Sequence, residues 1–150
     1  MSFSCEGCKN LKSLENSPVV ERDFCCSGCD SLKNLEGVKF NSKINPRIFE
    51  LSCNRCEGLE SLDGCPKVLL TLSCNSCTNL KSLKGAPQRI IHKFDCRGCK
   101  QLDTLEGLKI VDGQILSWGS GKKFIPSDLQ QLGIVTSNGK KPVLKNTPSI

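Results

Sequence analysis

Apolar residues and cysteines recur along this chain with a spacing that is neither helical nor simply alternating. Five segments share the pattern apolar-x-Cys-x-x-Cys-x-x-Leu-x-x-Leu. They hold Phe3, Cys5, Cys8, Leu11 and Leu14; Phe24, Cys26, Cys29, Leu32 and Leu35; Leu51, Cys53, Cys56, Leu59 and Leu62; Leu72, Cys74, Cys77, Leu80 and Leu83; and Phe94, Cys96, Cys99, Leu102 and Leu105. The steps between first positions are 21, 27, 21 and 22 residues. A fixed period of this length marks stacked supersecondary units. The apolar-x-Cys pair has strand periodicity, whereas steps of three fit neither a strand nor a helix long enough to bury a face. Each unit is predicted to be a short strand, a tight turn and an irregular return, and neighbours must stack before any unit has a core.

The 27-residue step places an insertion within Lys39 to Arg47, a candidate protruding loop. Gly37, Gly64, Gly85 and Gly107 each follow the last Leu by two residues, and Pro18, Pro66 and Pro87 recur just beyond, which is turn chemistry. A sixth unit is expected in register from Leu116, with Trp118 and Gly121 at the Cys positions and Phe124 at the Leu position. Ser127 to Gly133 reads as an N-cap, a helical turn and a C-terminal glycine. The stretch from Thr136 to Ile150 has no period and is expected to be flexible in part.

These residues resemble the leucine-rich repeat, L-x-x-L-x-L-x-x-N/C-x-L, in a form with Cys at the turn. Repeats three to five fit throughout, counting Ile48, Leu69 and Ile91 as leading apolar positions; repeat two has Glu21 there, and repeat one has no room for it. The tandem C-x-x-C-x-x-L-x-x-L-x-G-x-P form also resembles short repeat proteins of bacteriophages and large DNA viruses. The resemblance implies short parallel strands on a concave face, irregular or 3-10 convex returns, and a small C-terminal cap with a short helix. The expected organisation is a solenoid over 1–135, with repeats from about 3, 24, 51, 72 and 94 and a cap unit over 116–135, then a basic tail over 136–150.

Composition changes this picture in two places. Twelve cysteines in 150 residues raise three readings: a buried thiol ladder, zinc held by C-x-x-C pairs, or disulfides. The 17-residue gap from Cys8 to Cys26 lies in the zinc range, but the pairs number five and run in phase with the Phe and Leu columns. The ladder reading turns the first Cys of each pair inward and lets the second donate to a backbone carbonyl. Cys25 and Cys65 lie outside it. The formal charge of +6 is concentrated at the end of the chain, where Lys122, Lys123, Lys140, Lys141 and Lys145 stand against Asp128 alone. Lysines without interleaved aromatics make nucleic acid a secondary prospect.

Neither a signal-peptide pattern at Met1-Ser2-Phe3-Ser4-Cys5 nor an apolar run of membrane-spanning length is present, so a cytosolic protein is expected. His92 is the single histidine, and no grouped acid, base or nucleophile suggests an enzyme or a resident cofactor. Binding is the expected activity, with a protein as partner. Strand alternation points Ser4, Cys25, Ser52, Ser73, Asp95 and Ser117 outward, with Asp23, Glu50, Thr71 and Lys93 on one flank and Asn54, Asn75 and Arg97 on the other. The first repeat has no polar unit before it, so Phe3, Cys5, Leu11 and Leu14 form a candidate edge for self-association.

Overall fold

In the computed structural model, which describes residues 1–41 and 50–148, every apolar-x-Cys segment is a short strand stacked on the one before it. The strands are β1 Phe3–Ser4, β2 Phe24–Cys25, β3 Glu50–Ser52, β4 Val68–Ser73, β5 Arg89–Asp95, β6 Ile110–Val111, β7 Gln114–Leu116 and β8 Val143–Lys145, with one helix, α1, at Pro126–Gln131. They form a single sheet in the order β1-β2-β3-β4-β5-β7-β8, with β6 also on β5. All pairs are parallel, so the chain is a parallel β-solenoid of about five turns. Phe3, Phe24, Leu51, Leu72 and Phe94 lie in one column.

The core is the stack of the repeat's own template. From the second unit to the fifth, both Cys columns and both Leu columns are buried. Each buried leucine contributes on the order of 2 kcal/mol by leaving water. The glycine two residues beyond the last Leu is required for two reasons at once. Gly64 and Gly107 have φ of +98° and +112°, and a Cβ on either would lie 2.2 Å or 2.4 Å from the carbonyl oxygen of Leu35 or Leu83 in the preceding coil. In the first repeat the same position is Asn16, also left-handed at φ 64°. Asn16 is exposed, with no coil stacked against it among the described residues, so the backbone conformation is what constrains it, and asparagine tolerates that conformation.

Three expectations about register need correction. The 22-residue step into the fifth repeat is taken up by a bulge: Leu69 pairs with Ile90, but Thr71 pairs with Lys93. Ile90, not Ile91, therefore holds the leading apolar column and is buried, followed by Val111. In the second repeat Val20, not Glu21, fills that column, buried and bridged to Phe40. The sixth unit is shifted by one residue, because its strand contains no bulge and the step returns to 21. Ile115 pairs with Phe94, and Asp95 with Leu116. Ser117 and Ser120 thus take the two Cys positions, and Leu116 takes the outward one. Ile48 and most of the insertion fall outside the described residues; of its beginning, Lys39 accepts a hydrogen bond from the Val20 amide at 2.8 Å.

The C-terminal segment also differs from expectation. α1 begins two residues earlier than predicted, with Ile125 in place of Ser127 as N-cap and Pro126 at the first helical position; the Asp128 carboxylate accepts the Ile125 amide hydrogen at 2.8 Å. Leu129 of α1 belongs to the core cluster. The stretch expected to be a flexible tail contains β8, whose Leu144 pairs with Ile115. Its 29-residue distance from Ile115 is off the repeat period, which hid it.

Candidate functional site

The outward side chains of the sheet form one continuous row. Successive pairs run Ser4 to Cys25, Cys25 to Ser52, Ser52 to Ser73, Ser73 to Asp95, Asp95 to Leu116 and Leu116 to Lys145. Ser117, expected in this row, is buried instead, a consequence of the one-residue shift. One flank carries Asp23, Glu50, Thr71, Lys93 and Gln114, and the other carries Asn54, Asn75, Arg97 and Trp118. Gln114, Leu116, Trp118 and Lys145 are the face residues missed from sequence. The signal for the first three was present, since Ser117-Trp118-Gly119-Ser120 matches the Cys-x-Gly-Cys form of Cys5 to Cys8, Cys26 to Cys29 and Cys96 to Cys99; Lys145 lies off the period.

The middle of this face is held rigid by its own hydrogen bonds. Ser27 and Ser52 hydroxyls lie 2.9 Å apart, Asn54 Nδ2 donates to Ser52 Oγ at 3.0 Å, and Ser73 Oγ donates to Asn54 Oδ1 at 2.7 Å. Asn54 Oδ1 also accepts the Asn75 amide hydrogen at 2.9 Å. Asp95, although outward, is buried beneath Arg97, which donates from Nε and Nη2 at 2.8 and 2.6 Å. That two-pronged geometry is the strong form of a charge-assisted pair. The Arg97 guanidinium also lies 4.7 Å from the Trp118 ring centroid, and these two residues with Asn75 border a shallow surface depression.

Behind the sheet the cysteines make a second regular array. The thiols of Cys29, Cys56, Cys77 and Cys99 donate to the carbonyls of Cys5, Cys26, Cys53 and Cys74 at 3.0–3.1 Å, each reaching back one coil. Ser120 Oγ repeats this bond to the Cys96 carbonyl at 3.1 Å, as its shifted position requires. Ser117 Oγ, at the other thiol position, has no partner. All twelve thiols are free of disulfides, and among the described residues no three Cys, His, Asp or Glu side chains are grouped to hold a metal ion. Hydrogen bonds to Cys56 and Cys99, with burial, push Cys26 and Cys74 well above the ordinary thiol range. Burial alone is the main cause for Cys96, and for Cys5, which is pushed up to about 12. Cys25 is half-buried in the outer row, its thiol 3.5 Å from Ser27 Oγ.

At the N-terminal end, Phe3, Cys5 and Leu11 are only partly buried and Cys8 is exposed, whereas Leu14 lies inside. His92 is exposed on the bulged strand. No helix among the described residues is long and apolar enough to cross a membrane. Compared with protein-family models, with curated proteins and with solved structures, the chain matches none.

Proposed function

We propose that this protein is a leucine-rich-repeat module that binds a protein partner through the outer, concave face of its sheet and catalyses no reaction itself. The observation that carries this reading is the serine and asparagine ladder over Ser27, Ser52, Asn54 and Ser73, a surface of small side chains whose polar atoms already satisfy one another. A partner backbone can approach small, pre-ordered side chains at low entropic cost. The resemblance to phage and viral repeat proteins makes a host cytosolic protein the first partner to test, and α1 serves as part of the C-terminal cap. Capture from host lysate with the parent chain and with the double variant Ser52→Arg, Ser73→Arg tests this. A partner held by the parent and lost by a variant of unchanged melting temperature is expected; equal capture by both sinks the reading.

The half-covered first coil favours a second reading, in which the Phe3, Cys5 and Leu11 edge is covered by another copy. Cys5 and Leu11 are partly exposed where their counterparts in later coils are buried. Sedimentation at high concentration separates the two readings, since a stable monomer rules out self-association.

A further inference from the structure

We infer that the outer face receives an extended polypeptide segment with opposite charges at its two ends, an inference that rests on the module reading above and specifies its ligand. The face is divided by charge along the stack. β1 to β3 present Glu6, Asp23 and Glu50, the β4 level presents Thr71, Ser73 and Asn75, and β5 to β8 present Lys93, Arg97 and Lys145. Ion pairs elsewhere join Lys33 to Glu60 at 2.7 Å, Lys84 to Asp63 at 3.2 Å, Arg89 to Asp112 at 2.7 Å and Lys122 to Asp128 at 2.6 Å, while other surface charges such as Lys12, Glu15 and Glu57 form none among the described residues. Here Asp95 and Arg97 form the one such pair, and Glu6, Asp23, Glu50, Lys93 and Lys145 make none among the described residues. Asp23 and Glu50 border one shallow depression together with Ser2, Ser4 and Ser52. A ligand carrying the opposite charge would complement these two carboxylates.

Dimensions select the occupant. From β2 to β8 is five strand steps, about 24 Å, the reach of an extended segment of about seven residues. With strands of two to seven residues, the face covers a few hundred Å², well below the roughly 800 Å² per partner of a stable pair of folded proteins. A second folded copy would bury too little here, whereas a single strand-sized segment fits. Its basic end lies over Asp23 and Glu50, its middle over the serine and asparagine ladder, and its acidic end beside Lys93 and Lys145, near Trp118.

Two synthetic peptides of identical composition test the inference. One has two lysines and two glutamates at opposite ends of a Gly/Ser spacer, and the other has the same four charges mixed so that neither end is charged overall. Each is titrated into the full chain at low salt by calorimetry and by the fluorescence of Trp118, the single tryptophan. The segregated peptide should bind at least about fivefold more tightly, with the preference gone at high salt, where surface charges are screened. The preference should also vanish in Asp23→Asn, Glu50→Gln with melting unchanged. Equal binding of both peptides, or a preference that survives in that variant, overturns charge reading while leaving partner capture intact. Binding of neither peptide overturns the inference, as does a low-salt dimer that the variant disperses, which would assign the face to a second copy.

Discussion

The two ends of the solenoid are built in opposite ways. The first coil keeps every template residue, yet Phe3, Cys5 and Leu11 stay partly exposed and Cys8 is open to solvent. The sixth unit loses both cysteines, yet Ile115, Ser117 and Phe124 are buried, flanked by β5 on one side and β8 on the other. Template residues therefore mark where a side chain stacks, and burial of the whole template follows when a neighbour lies on each side; in the end coil only Leu14 is buried. This is the behaviour of a quasi-one-dimensional fold, in which interfaces between adjacent units supply most of the stability.

Substitutions in matched pairs sharpen this contrast. Gly64→Ala forces a Cβ into the Leu35 carbonyl at left-handed φ and should cost at least about 3 kcal/mol. Asn16→Ala, at the same position in the end coil, should cost about 1 kcal/mol for backbone strain alone. Urea unfolding of both measures the difference, and equal costs would break the comparison. Next in size, Leu59→Ala in the buried column should lose about 3 kcal/mol, against under about 1 kcal/mol for the half-exposed Leu11→Ala, read from the same curves. At the far end, Ser117→Cys restores the template and removes a hydroxyl without a partner, so a gain of about 1 kcal/mol in denaturant stability is expected.

The smallest effect is a pH dependence. Raised thiol values in the folded state mean that the unfolded chain releases protons first. The contribution of Cys5, Cys26, Cys74 and Cys96 is thus complete below about pH 8.5, where unfolded thiols are neutral, and declines as pH rises toward the folded values. Denaturation midpoints that fall from pH 7.5 to 9.5 would show it. Midpoints that rise would contradict the assignment of these thiols as buried and neutral.

The five coils and their inward and outward faces were legible because cysteine, leucine and glycine recur in phase, and a period repeated five times is hard to produce by chance. Errors arose wherever one residue was added or the template changed chemistry. The bulge between Ile90 and Lys93 left composition unchanged while shifting the phase, so extending the 22-residue step put Leu116 where Ile115 belongs. Serine in place of cysteine then concealed the sixth turn, although Gly119 marked it. β8 had no periodic partner at all and was placed by tertiary pairing. On the outer face, the sequence placed the row from Ser4 to Asp95 but put Ser117 where Leu116 lies. The buried Asp95 and the Arg97 stack on Trp118 emerged only once neighbouring coils were brought together.

The backward reach of each turn thiol to the coil before it has one more consequence. Because Cys29, Cys56, Cys77 and Cys99 all make the same bond to the same kind of acceptor, the seams between coils are interchangeable. A gene that gains or loses one whole period in phase meets no new interface to solve. The number of coils, and with it the reach of the outer face, is open to change by simple duplication, while the bulge, the insertion and the two ends are features that must each be kept in place.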